Sequence, residues 1–229
     1  MDKFEPDFKK AYCIANDVLI CSHTIETIPF DIEKYIKDET DIALRKYHLT
    51  NKKYGVTIPN LGSDDALIIE KRGRYIVFYD EYASMPRRKW SIVHELGHYY
   101  LGHNLDFENI SPELYAKQEI EAHCFAAQLL MPDQVIFALA KRCSLKISST
   151  FLQNHFAISK EAACKRLETL NKQFDYRFAQ LENDYDDLIV LKFDSFIKSL
   201  KPKGYYDYSF EDEEEMQKER DSWNNRRFR

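Results

Sequence analysis

The sequence predicts an α+β protein that is mostly helical, with a small antiparallel sheet and a helical C-terminal region. Three observations predict it. Apolar residues recur at helical spacing through most of the chain. One stretch, "ALIIEKRGRYIVFYD" (66–80), instead holds two β-branched and aromatic runs around a turn signal. Proline and glycine then cut the remainder into helices of ordinary length. The 229 residues, 44% of them hydrophobic and 14% aromatic, suffice to bury a sizeable core.

Taken in order, Phe4 to Cys21 carries Phe8, Ala11, Tyr12, Ala15 and Leu19 on one face and reads as an opening helix. "IPFDIEKYIKDE" reads as a short second helix. Between Val56 and Asp80 the pattern turns to strand, and Gly73 in "EKRGR" supplies the positive φ that a hairpin needs. Pro86 suits the first turn of a helix that Gly102 ends, and Ser111 with Pro112 starts the next one, which Pro132 stops. From Val135 to about Leu170 the pattern is helical throughout, with Ser159 as an N-cap in "STFLQNHFAISKEAACKRLETL". A last apolar run spans Leu188 to Phe193, followed by an acidic block, Glu211 to Glu215, read as a solvated tail. The implied division is 1–134 for the main domain, 135–172 for a helix-turn-helix-like module, and 173–229 for a helical segment with a charged tail.

Composition excludes several classes of function. With 38 acidic against 33 basic residues the formal charge is −5, so no global positive field draws the chain onto nucleic acid or an anionic membrane. Nucleic-acid contact is expected only, if at all, through residues 145–170, where Glu161 and Glu168 dilute Lys160, Lys165 and Arg166. A packing or partner-docking role fits that module better. The cysteines, Cys13, Cys21, Cys124, Cys143 and Cys164, are odd in number and never paired as C-x-x-C, which argues for reduced thiols. The N-terminus lacks an apolar signal core, and no segment approaches the ~20 apolar residues of a membrane span. The expected compartment is the cytoplasm.

The chemistry lies in "WSIVHELGHYYLGH" (90–103). On a helix, residues four apart project side by side, so His94 and His98 can both reach one Zn²⁺. Glu95 is rotated ~100° from His94, near enough to meet a metal-bound water as general base without being a ligand. Trp90, Val93, Gly97 and Leu101 suit a buried helix, in which such polar groups go unsatisfied unless a metal or partners engage them.

Catalytic zinc takes three protein ligands and keeps one open position. His103 falls one residue short of the H-E-x-x-H-x-x-G-x-x-H pattern, and Leu101 stands where that pattern needs glycine. It reads as a helix-end residue near the ligands or as an exposed histidine. "QEIEAHCFAAQLLMP" offers Glu119 and Glu121. Glu119 lies on a stripe with Tyr115, Ala122, His123, Ala126, Leu129 and Leu130 that faces inward, whereas Glu121 shares a polar side with Lys117, Gln118 and Gln128. Glu119 is therefore the expected third ligand. His123 reads equally as a partner to the rear nitrogen of a ligating histidine or as a packed core residue. Two imidazoles and a carboxylate would also accept Mn²⁺ or Fe²⁺.

"WSIVHELGHYYLGH" followed by "EIEAHCFAAQLLMP" resembles the ImmA/IrrE-type metallopeptidases, zincins with an H-E-L-G-H motif and a downstream E-x-E/Q-A-N/D-x-F-A-A-x-L-L-M-P helix. The likeness runs from Leu67 to Pro132 and departs chiefly at His123, where the family has Asn or Asp. It implies a zincin-like domain, His94, His98 and Glu119 as zinc ligands, and Glu95 as catalytic base. It also implies a protein substrate: a partner transcriptional repressor of the helix-turn-helix kind, whose cleavage relieves repression of a mobile element or stress regulon. The competing expectation is a non-proteolytic regulator that uses the same fold to bind a partner protein or DNA.

Four residues, Tyr99, Tyr100, Tyr115 and His103, are chemically able to stabilise the oxyanion of peptide hydrolysis. "RYIVFYD" is expected beside the zinc helix, where as an edge strand it would pair with an extended substrate.

Overall fold

The computed structural model describes residues 5–54, 65–106, 109–180, 184–201 and 218. The acidic block Glu211 to Glu215 and the stretch 55–64 lie outside them. Helix α1 (Phe8–Cys21) begins where the Asp7 carboxylate accepts from Lys10 N, and α2 (Ile32–Glu39) begins at Asp31, which accepts from Glu33 N and Lys34 N. These side chains satisfy amide groups that the first turn leaves without partners. Then come β1 (Ala43–Lys46) and α3 (Tyr47–Tyr54), two elements the sequence pattern did not announce. The expected hairpin is β2 (Ala66–Lys71) and β3 (Arg74–Tyr79), turned by Arg72 and Gly73 with φ of 54° and 71°.

The sheet has three strands in the order β1-β3-β2. Strands β2 and β3 are antiparallel, with Ala66 opposite Tyr79 and Lys71 opposite Arg74. Strand β1 joins the other side of β3 in parallel, with Ala43 opposite Ile76. The sheet is therefore mixed. Strand β3, expected at an edge, is central, because β1 occupies the side that a substrate would have used. Strand β2 is the edge strand next to the helix that carries the motif.

That helix is α4 (Met85–Leu101), with Pro86 in its first turn and Gly102 ending it at φ 67°, in the left-handed region. The next, α5 (Pro112–Leu130), is capped by Ser111, which accepts from Leu114 N at 3.2 Å. Along α5 packs the buried face of α1: Ala11, Ala15, Val18 and Leu19. Helices α6 (Asp133–Arg142), α7 (Ser149–Phe156), α8 (Lys160–Gln180), α9 (Asp184–Lys192) and α10 (Asp194–Ser199) complete the chain. Buried residues of these helices, among them Leu139, Phe156, Ala163, Ile189 and Ile197, join the same core as Leu19, Val93 and Leu129.

The α7–α8 pair has the expected turn: Ala157 adopts φ 52° and Ser159 Oγ accepts from Ala162 N at 3.1 Å. Of Lys160, Lys165 and Arg166, the last faces inward. Arg166 is 5% exposed and donates to Met131 O at 2.7 Å and to Gln128 Oε1 at 2.6 Å, tying α8 to the end of α5. All five cysteines are free thiols, and no single helix among the described residues is long and apolar enough to cross a membrane.

Candidate metal centre

Helices α4 and α5 approach closely because Gly97 has no side chain: a Cβ there would sit 3.0 Å from Ala122 Cα and 3.1 Å from Ala122 O. This close approach brings Glu119, one turn before Ala122, over the His94–His98 face. The two imidazole Nε2 atoms lie 3.2 Å apart. Glu119 Oε2 is 3.3 Å from His94 Nε2, and Glu119 Oε1 is 3.3 Å from His98 Nε2. The expected trio is thus together. His94 and His98 are buried, while the Glu119 side chain is 28% exposed and borders the open side.

The spacing tests whether a metal fits. Ligand atoms held at ~2.0–2.1 Å from a tetrahedral Zn²⁺ are separated from one another by ~3.3–3.4 Å. The 3.2 Å between the two imidazole nitrogens matches that edge, and the Glu119 carboxylate straddles the pair, each of its oxygens 3.3 Å from one imidazole. Donor chemistry agrees, since two imidazoles and one carboxylate are a set catalytic zinc uses. A looser grouping of His94, Glu119 and His123 has ligand atoms within 4.8 Å of one another. That limit is too wide to decide for zinc, and the tighter trio is the better fit.

His123 takes neither expected role. It is exposed on α5, its ring centroid 4.4 Å from that of His94 and 6.2 Å from that of Trp90. The rear nitrogen of His94, Nδ1, is buried and has no hydrogen-bond partner, so His123 does not hold it.

Glu95 lies beside the trio, 7% exposed, with Oε2 accepting from the backbone N–H of Ile68 at 2.8 Å. Burial pushes its carboxyl above the usual range, against the opposing pull of His94 and the Ile68 amide. A carboxylate raised in this way is a stronger base. Glu119 goes the other way. Burial would raise it, but the flanking His94 and His98 outweigh burial and hold it well below the ordinary value.

Behind His98 stands an arrangement that helical spacing did not reveal. Gly102 turns the chain back so that His103 Nδ1 lies 3.0 Å from His98 Nδ1, and His103 Nε2 lies 3.0 Å from Glu121 Oε2. His103 is thus the helix-end residue near the ligands, not the exposed one. Burial and the neighbouring His98 hold its imidazole below the usual histidine range, against the pull of Glu121. Glu121, expected on a polar side, is buried together with Gln118 and Gln128, because α1 covers that face. Asp7 N donates to Glu121 Oε1 at 2.6 Å, and Gln128 Nε2 donates to Asn16 Oδ1 at 2.8 Å.

The four oxyanion candidates separate. Tyr100 Oη is 2.6 Å from Tyr35 Oη, Tyr99 packs edge-on against Tyr75, and His103 is engaged with His98 and Glu121. Tyr115 is different: it hydrogen-bonds Glu119 and lies within the electrostatic reach of Glu95.

Residues 51–168 match the family model of the IrrE N-terminal-like domain, Peptidase M78. No curated protein matches the chain. The matched span contains β2, β3, α4 and α5, and with them every residue of the trio, Glu95, His103 and Glu121.

Proposed function

We propose, since the chain belongs to the IrrE N-terminal-like metallopeptidase family, that it is a zinc-dependent endopeptidase which cleaves a partner regulatory protein. The observation that carries this is the convergence of His94 Nε2, His98 Nε2 and the Glu119 carboxylate, whose Oε2 and Oε1 each stand 3.3 Å from one imidazole, with Glu95 alongside. Membership implies a metal ion, and His94, His98 and Glu119 are the residues that would hold Zn²⁺.

When bound, the ion supplies Lewis acidity that lowers the pKa of water and polarises a peptide carbonyl. The protein supplies the rest. Glu95, its orientation fixed by the Ile68 amide, takes the proton of the attacking water and returns it to the departing amine. Tyr115 Oη is the donor we assign to the carbonyl oxygen as it gains charge. Edge strand β2, whose Ile68 amide already turns toward α4, is the surface on which an extended substrate segment would add as a further strand.

The resemblance to ImmA/IrrE-type proteins makes a helix-turn-helix repressor the substrate class we propose. Sequestration alone would need no buried base, so Glu95 supports proteolysis over a binder that leaves its partner intact. The burial of Arg166 supports a packing role for the α7–α8 module over DNA reading. The test is incubation of the purified zinc-loaded chain with a helix-turn-helix repressor encoded beside it, followed by mass spectrometry. A defined cut that disappears in Glu95→Gln supports the peptidase. A stable complex with uncut repressor supports the regulator without protease activity.

A further inference from the structure

We infer that His103 and Glu121 form a relay that sets the tautomer of His98, so that its Nε2 presents a lone pair, not a proton, to the metal site. Both are positioning residues, and the inference rests on reading His98 as a metal ligand. The side chains of His98, His103 and Glu121 are 1%, 5% and 7% exposed, so water does not compete for their contacts.

The direction of each hydrogen bond follows from the far end. An ionised carboxylate only accepts. Glu121 Oε1 already accepts from Asp7 N at 2.6 Å and has the Lys117 ammonium 3.8 Å away, which leaves Oε2 to His103. His103 therefore donates from Nε2 and carries its lone pair on Nδ1. Across the 3.0 Å contact that lone pair is met by a proton on His98 Nδ1, which leaves His98 Nε2 bare. The opposite tautomer would direct Nε2–H at the Glu119 carboxylate 3.3 Å away, a contact that any cation would have to break. His94, whose Nδ1 has no partner, lacks such support, so His98 is the ligand the protein orients in advance.

Glu121→Gln gives the sharpest test because it keeps the shape. The Asp7 amide holds the glutamine oxygen on its side, which turns the NH₂ group to His103 Nε2 and reverses every donor up to His98. Long-range ¹⁵N–¹H spectra of the full metal-free chain read the tautomer directly, and chelator competition reads Zn²⁺ affinity. We expect His98 as the Nδ1–H form in the natural chain and as the Nε2–H form in Glu121→Gln, with Zn²⁺ bound ~10–100-fold more weakly. His103→Leu should weaken Zn²⁺ similarly, while His103→Asn, whose Oδ1 can accept from His98 Nδ1–H, should recover most of the loss. Unchanged tautomer and affinity in Glu121→Gln, or equal losses in both His103 variants, would overturn the relay. Full Zn²⁺ affinity in His98→Ala would instead overturn the ligand assignment beneath it, which separates the two failures.

Discussion

Gly97→Ala should damage the metal centre more than it damages the fold. The added methyl would meet Ala122 Cα at 3.0 Å, Ala122 O at 3.1 Å and Phe125 Cδ1 at 3.2 Å, and the first two are backbone atoms that no rotamer change can move. Carbon atoms pack at ~3.5–4.0 Å, so α5 must withdraw by ~0.5 Å or more. Glu119 sits one turn from Ala122 and moves with it. Its contacts of 3.3 Å to both imidazoles would then exceed the ~3.3–3.4 Å edge a tetrahedral zinc allows. Overpacking of this kind destabilises by ~1–3 kcal/mol, and alanine offsets ~1 kcal/mol of that through its better helix propensity. The net loss of stability is thus small, while misplacement approaching 1 Å near reacting groups lowers turnover by ~100-fold. Urea unfolding, zinc affinity and repressor cleavage, measured together, give the assay. A Gly97→Ala protein that binds zinc and cuts as the natural chain does would show that the Gly97–Ala122 contact does not position Glu119.

Three further outcomes follow from named contacts. Glu95→Gln should keep zinc affinity within a few-fold and lower cleavage by ~10²–10⁴-fold, as general-base removal does, read by metal analysis and single-turnover cleavage. Arg166→Met strips the donors from Met131 O and Gln128 Oε1 in a buried setting. It should lower unfolding free energy by ~2–4 kcal/mol, measured with urea, without altering any DNA affinity. Lys89 is buried over the Phe30 ring at 4.3 Å, and burial, against the pull of Asp31, brings its amine down to about 8. Between that value and the ordinary 10.5 the unfolded chain binds more protons, so stability should rise with pH across this window. Lys89→Met should therefore stabilise the protein by ~1–3 kcal/mol at pH 7, with the advantage fading by pH 10.5 in urea titrations.

The helices and hairpin of the site were legible because their signals are local. Pro86, Gly102, Ser111 and Pro132 mark ends through backbone geometry, and "EKRGR" marks a turn whichever partner the strands find. Strand β1 was not legible: "ALRK" is four residues with two exposed side chains, and its place beside β3 is a tertiary fact. The trio was readable from two helical periods. Glu121 was not, because a stripe of Lys117, Gln118, Glu121 and Gln128 looks solvated until α1 covers it with Asp7 N and Asn16. The left-handed Gly102 was the available signal for His103, since a chain that reverses at that point returns the next side chain beneath the last helical turn.

X-ray absorption at the zinc edge, on the purified chain carrying one equivalent of Zn²⁺, reads the ligand set itself. Two imidazole nitrogens and oxygen donors at ~2.0–2.2 Å are expected, with the carboxylate contribution lost in Glu119→Gln and nothing changed in His123→Asn. A three-imidazole spectrum that loses one ring in His123→Asn, or a spectrum indifferent to Glu119→Gln, would contradict that ligand set.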